Sequence, residues 1–233
     1  MMVIRKKPWR FLASSLVMPL LYLVTFGWGL GRGMNLGGGR YLDFVLPGIV
    51  ALSAMNNSFS PVSTSLNISK LYTKTIEEVL VSPVSPWDIT LGRALTGLVR
   101  GMFSAFMLLL IGLVSGVHMQ MTVNFIAVLA LTAFCFATAG VAAAMIAQSH
   151  EDMSNFNSFF IVPMSFLAGT FFSPDRLPEP FRSLILIYPL THASLLLRAL
   201  ASGGIPSMGS VIVLTAYTVL FFYLAGLMVK RAA

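Results

Sequence analysis

Charge is what this chain has least of. Only 10% of its 233 residues are Asp, Glu, Lys or Arg, while 57% are hydrophobic. A soluble domain normally carries about a quarter charged residues. The shortage is gathered into runs: the 21 residues between Arg10 and Arg32 and the 49 from Gly101 to Ser149 contain no Asp, Glu, Lys or Arg. A bilayer core needs about 20 apolar residues in a helix. The fold class is therefore an all-α polytopic membrane protein. Cysteine occurs once, as Cys135 inside an apolar run, so a disulfide framework and a thiolate metal site are excluded. Groupings for catalysis are also lacking. His118, His150 and His192 fall in three separate segments with no metal-like spacing. Glu151–Asp152 reads more simply as a solvated loop face than as paired carboxylate chemistry, and no serine, histidine and acid arrangement is recognisable. "GRGMNLGGGR" has glycines without a Gly-Lys-Ser/Thr ending, so it is a flexible turn rather than a nucleotide-binding loop.

What is present is a series of apolar segments forming one transmembrane domain over residues 1–233. Six spans are the simplest reading, at about 11–30, 44–66, 88–114, 122–147, 156–172 and 211–229. The first is an uncleaved span rather than a signal peptide, being too long and lacking a small-residue cleavage site. Between the fifth and sixth, residues 173–204 are apolar but interrupted by Pro178, Pro180, Pro189, Arg182 and Arg198. Their uncharged core of 183–197 is too short to span and suits two short helices re-entering one leaflet from outside. The positive-inside rule sets the orientation. With both termini cytoplasmic, Arg5, Lys6, Lys7, Arg10, Lys70, Lys74, Arg93, Lys230 and Arg231 lie inside, against Arg32, Arg40, Arg176, Arg182 and Arg198 outside. The net charge of +7 is thus explained by topology and anionic lipid, not nucleic acid. Lys6, Lys7, Trp9 and Arg10 have the composition of a membrane-interface anchor, either as a short amphipathic helix on the inner surface or as a disordered basic tail.

The stretch "EEVLVSPVSPWD", residues 77–88, breaks the apolar pattern. Ile68, Leu71, Tyr72, Ile76, Val79 and Leu80 are spaced to line one face of a helix, with Lys70, Lys74, Glu77 and Glu78 mostly on the other. Pro83 stops that helix. A new one then starts with Ser85 as N-cap, Pro86 at the first helical position and Asp88 placed as in a capping box. Physics alone fits either a turn that merely joins two spans or a docking element.

Two features lie inside the membrane. The second span holds Asn56, Asn57, Ser58, Ser60, Ser63, Thr64, Ser65 and Asn67, too polar to face lipid all round. Arg100 follows Arg93 by seven residues, on the face that carries Thr96, Gly97 and Ser104, and an arginine at the bilayer centre costs roughly 2.5–3.5 kcal/mol. Asn56, Asn57, Ser60 and Arg100 are candidates for a translocation path; helix–helix packing accounts for them equally well.

"IEEVLVSPVSPWDITLGRAL" closely resembles the cytoplasmic loop of permease subunits of the ABC-2 family of ABC transporters. "FLAGTFFSPDRLPEPFRSLILIYPLTH" is similar to that family's fifth-span and external-loop block. Order, spacing and length agree over nearly the whole chain, nearest in character to bacterial drug, polysaccharide and nodulation-factor exporters. The resemblance implies a coupling helix in 67–87 that sits in a groove of a separate ATP-binding cassette subunit. Glu77, Glu78, Val79, Leu80 and Val81 would face that subunit, Pro83 and Pro86 would fix the corner, and His150, Glu151 and Asp152 would add a smaller contact. It further implies a dimer with a second permease copy, ATP and Mg bound by the partner rather than by this chain, and residence in the bacterial inner membrane. A secondary transporter driven by an ion gradient is the rival reading, and it would call for acidic residues near mid-membrane.

Overall fold

The computed structural model describes residues 41–76, 83–117, 119–174 and 177–232, together with residues 17, 20, 21, 24 and 25. The basic leading segment, nearly all of the first expected span, the glycine-rich loop, Glu77–Val81 and His118 lie outside the described residues. Among the described residues every regular element is helical. The long helices are α1 (Tyr41–Leu71), α2 (Pro86–Val114) and α3 (Val123–Ile146). Then come α4 (His150–Phe156), a π-helical turn (Asn157–Ile161) and α5 (Val162–Leu167). The short α6 (Phe181–Ile185) and α7 (Pro189–Ala201) precede α8 (Met208–Ala232). By length and composition α2, α3 and α8 could each cross a membrane, and they occupy the stretches read as the third, fourth and sixth spans.

Local chemistry sets the ends. Ser85 caps α2 and Thr122 caps α3 through their side-chain oxygens. At the other end of α2, Gly116 adopts a φ of 75°, which lets its N–H reach Leu113 O at 2.9 Å while Val117 N–H reaches Gly112 O at 3.1 Å. Gly203, at φ 74°, closes α7 in the same way through Leu200 O and, from Gly204, Ala199 O. Both are Schellman caps, and a side chain would strain that left-handed position. Asp43 in the first turn and Lys70 in the last turn of α1 match the helix dipole.

α1 runs through the middle of the bundle, against α2, α3 and α7, and α8 closes over α2, α3 and α7. Close approach depends on small residues. A Cβ on Gly97 would stand 2.6 Å from Ala137 Cβ and 2.9 Å from Ser58 O; one on Gly101 would stand 2.8 Å from Ala54 O; one on Gly140 would stand 2.9 Å from Phe59 O. The three glycines let α1, α2 and α3 cross with backbones nearly touching, which is how membrane helices gain packing where lipid is as apolar as leucine.

Four sequence expectations need correction. The amphipathic helix expected through Ile68 and Leu80 is interrupted. Ile68 and Leu71 close α1, Lys74 has a left-handed φ of 50°, and helix resumes only at Thr75–Ile76. The apolar face is broken with it: Tyr72 is 66% exposed whereas Ile76 is buried. Asp88 does not complete a capping box, because the Ser85 side chain accepts from Trp87 N–H and Asp88 N–H goes to the Ser85 carbonyl. The helical run expected over 156–172 begins earlier, at His150, passes through the π turn and stops at Leu167; Gly169, at φ 69°, turns the chain. In the region 173–204 two short helices are present, as expected, but Arg198 is not a solvated outer charge. It donates from Nε to Phe44 O at 3.0 Å and from Nη2 to Thr170 O, and its guanidinium lies 3.9 Å from the Phe44 ring centre.

Candidate functional site

At the end of the bundle where α1 finishes and α2 begins, the residues on either side of 77–82 are packed against the helices. Lys70 reaches across to the C-terminus of α3, donating to Met145 O at 2.7 Å and Ala147 O at 2.9 Å. These are carbonyls left without partners by the helix end. Tyr72 rests on His150, ring centres 5.2 Å apart, so the segment after α1 touches the start of α4. Ile76 drops into an apolar cluster with Val62 and Leu66 of α1, Val141 and Met145 of α3, and Ala225 and Val229 of α8. Past residues 77–82, exposed Pro83 leads to Ser85 and to Pro86 at the first position of α2. Trp87 then lies over Gly226 of α8, whose missing side chain is the space the indole fills, with Phe222 and Tyr223 at 5.8 and 5.9 Å between ring centres. Ile76 and Trp87, which flank residues 77–82 in sequence, are thus both packed into the bundle.

The turn between α3 and α4 is equally defined. Ser149 accepts from Asp152 N–H at 3.0 Å, and Asp152 Oδ2 accepts from Gln148 N–H at 2.9 Å and Ser149 N–H at 3.1 Å. This is the capping box that the Ser85 corner lacks. These bonds, the one from Gln148 foremost, hold the Asp152 carboxyl below the usual carboxylate range. Asp152 therefore stays ionised at neutral pH and points back into its own turn. Glu151 and His150 are exposed beside it.

Polar residues of α1 open onto two clefts on different faces. One, with a volume of about 220 Å³, is lined by Phe59, Ser60, Ser63 and Thr64 of α1 and by His150, Met153, Ser154 and Asn157. Asn157 opens the π turn, where the extra residue widens the helix. The other lies between α1 and α2 and contains Arg93 and Arg100. The structure thus separates two of the sequence-predicted path residues, Ser60 and Arg100. Asn56 and Asn57 are half-buried on α1, and Asn57 donates to Ser53 O at 3.0 Å. Other polar side chains of α1 are packing contacts: Ser53 meets Ser104 of α2 at 2.9 Å, and Ser58 bonds back to Ala54 O at 2.6 Å.

The profile of the ABC-2 type transporter family matches residues 1–201. The chain belongs to that family. Relatives extend over nearly all of it: inner membrane transport permease YadH of Escherichia coli (strain K12) is 28% identical over 230 residues, covering 95% of this chain and 90% of its own. Nodulation protein J of Rhizobium meliloti (strain 1021) is 29% identical over 224 residues, 94% of this chain and 85% of its own. This ABC-2 chain is accordingly a membrane permease of a transport system, the family that "EEVLVSPVSPWD" and the 166–192 block suggested.

Of the ABC-2 docking residues expected from sequence, Pro83 and Pro86 stand at the described corner, and His150, Glu151 and Asp152 stand at the neighbouring turn. Glu77, Glu78, Val79, Leu80 and Val81, and the anchor residues Lys6, Lys7, Trp9 and Arg10, are outside the described residues. Sequence reasoning missed the Trp87–Gly226 contact and the Lys70 cap. Their faint signals are a tryptophan one residue into a capped helix, a glycine inside the apolar run "YLAGLMV", and a lysine in the last turn of α1.

Proposed function

We propose that this chain is the membrane subunit of an ATP-driven exporter in the bacterial inner membrane. Two copies would form the translocation pathway, and separate ATP-binding subunits, which bind ATP and Mg, would couple to it through residues 67–87. Both termini would lie in the cytoplasm. The observation that carries the reading is the seating of the two residues that flank 77–82 in sequence. Ile76 and Trp87 are seated in the bundle against α1, α3 and α8. A push by a subunit docked at Glu77–Val81 would reach the helices through Ile76 and Trp87. His150, exposed and in tilted ring contact with Tyr72, brings the α3–α4 turn beside the same corner and suits it as the secondary contact. Membership of the ABC-2 family and the YadH relative's description as an inner membrane permease support both the partner and the location. The alternating motion is carried by the helices, and no chemistry is assigned to this chain.

An ion-gradient mechanism needs a titratable acid in the membrane interior. Among the described residues the acids Asp43, Asp88, Glu151 and Asp152 all sit in first helical turns, and Glu179 sits in the loop before α6. That distribution favours the ATP-driven reading.

The test is to purify the chain with its ATPase partner and compare wild type with Glu77→Arg combined with Glu78→Arg. Reversing two interfacial charges should weaken co-purification of the partner on the order of tenfold or more and reduce transport with it, while thermal stability of the permease alone stays unchanged. Assembly and transport at wild-type levels would overturn the docking assignment.

A further inference from the structure

Two turns far apart in sequence meet at the end of the bundle opposite Ile76 and Trp87. One is the first turn of α1; the other follows α5, where Gly169 turns the chain. Arg198, in the last turn of α7, stands between them. Its Nε donates to Phe44 O at 3.0 Å and its Nη2 to Thr170 O, while the guanidinium lies 3.9 Å from the Phe44 ring centre. Tyr41 adds a second tie, its hydroxyl donating to Phe171 O at 2.7 Å. Gly48 makes the approach possible, since a Cβ there would stand 2.6 Å from Thr170 O and 2.9 Å from Arg198 Nη2. Both acceptors of Arg198 are backbone carbonyls, so the planar fork joins main chain to main chain. Its Nη1 is buried without a hydrogen-bond partner, which costs free energy, so stability alone does not account for an arginine here.

The place of these contacts on α1 gives them a mechanical meaning. Pro47 lies inside α1 and lacks the N–H that would bond the Asp43 carbonyl, and prolines are where helices kink. Arg198 touches α1 on both sides of that proline, at Phe44 before it and at Gly48 after it. Toward the other end, α1 gives Val62 and Leu66 to the apolar cluster that holds Ile76. A displacement begun at that cluster would be lost as bending at Pro47 if nothing bridged it. We propose that Arg198 is a positioning residue for transport: it splints α1 across Pro47 and fastens it to the 168–171 turn, so that movement of α1 carries that turn and α7 with it. The source of the movement rests on the ATP-driven reading above; the fastening does not.

The experiment follows amide hydrogen exchange in the full chain in nanodiscs, first alone and then with its ATPase partner, ATP and vanadate. Alone, segments 41–48 and 168–173 should exchange slowly in wild type, and Arg198→Gln should speed both by about tenfold or more, because bonds from a charged donor are lost. Ser194→Ala removes a different bond from α7 to the same turn, Ser194 Oγ to Ala168 O at 3.3 Å, and should leave both near wild-type rates. With nucleotide, the two wild-type segments should change their exchange together. Arg198→Gln should abolish the response of 168–173 while 62–76 still responds, a separation that a purely structural arginine would not produce. Wild-type exchange in Arg198→Gln, equal acceleration by Ser194→Ala, or a nucleotide response missing from either wild-type segment would overturn the proposal. The last is read on the unaltered chain, so it decides the matter if Arg198→Gln fails to fold. An ATPase partner that does not bind would count against the docking reading instead, and the rates of the chain alone then decide the role of Arg198.

Discussion

α1 and α8 are both long enough to cross a bilayer, yet their compositions and positions are inverted. α8 reaches a mean hydropathy of 2.2 over its most apolar 18 residues, and only 22% of that window is buried. α1 carries Ser53, Ser58, Ser63 and Asn67 and falls outside the set of helices apolar enough to qualify as spans, but these four residues are buried and the helix is the core of the bundle. In water the apolar helix would be the hidden one. In lipid, hydrocarbon is the solvent, so the outer helix is apolar and polar groups retreat inward, where Ser53, Ser58 and Ser63 find hydrogen-bond partners.

The comparison breaks most sharply if a charge is placed on the outward face of α8. Val219 lies midway along that helix and is 63% exposed. Val219→Asp should cost about 3 kcal/mol of insertion free energy, read as a fall in the membrane-inserted fraction of the chain. Insertion at the wild-type level would mean that α8 does not face lipid there.

A smaller loss tests the inner helix through its crossing with α2. A Cβ on Gly101 meets Ala54 O at 2.8 Å, Ser58 Cβ at 3.0 Å and Ala133 Cβ at 3.1 Å, while one on Gly92, two and a half turns earlier, meets nothing within 4 Å. Gly101→Ala should therefore destabilise the protein by about 1–3 kcal/mol, and Gly92→Ala should be neutral or slightly stabilising. Thermal denaturation in detergent measures both. Equal melting temperatures for the two variants would contradict the close crossing.

The same contrast explains what could be read from the sequence. α2, α3 and α8 were legible because each holds a long apolar run, and Ser85, Pro86 and Thr122 mark the starts of the first two. The start of α2 was legible because Ser85 and Pro86 act locally. The break at Lys74 was not, since a left-handed lysine has no compositional mark and the apolar spacing runs straight across it. Nor could spacing reveal that Ile76 and Tyr72 part company, one buried against α8 and the other tilted against the His150 ring. Arg198 looked like an outer-loop charge because its partners, the carbonyls of Phe44 and Thr170, are backbone atoms contributed from distant positions. Ser60 and Arg100 looked alike as polar residues in greasy helices, and only packing assigns them to clefts on different faces of α1.

The smallest effect concerns what the polar groups of α1 contribute once they are inside. Ser53 and Ser104 lie 2.9 Å apart, oxygen to oxygen, and both are buried where α1 meets α2. Hydrogen bonds between membrane helices average only about 0.6 kcal/mol, because the unpacked helix in lipid also finds partners. Ser53→Ala, Ser104→Ala and the double variant should thus give a coupling energy near that value in a double-mutant cycle of reversible unfolding. A coupling above about 2 kcal/mol would make hydrogen bonding, rather than the glycine contacts a few residues along α2, the chief source of the α1–α2 association. A coupling of the expected size leaves close packing as the main force, and polarity in α1 as a feature the bundle shelters more than one it relies on.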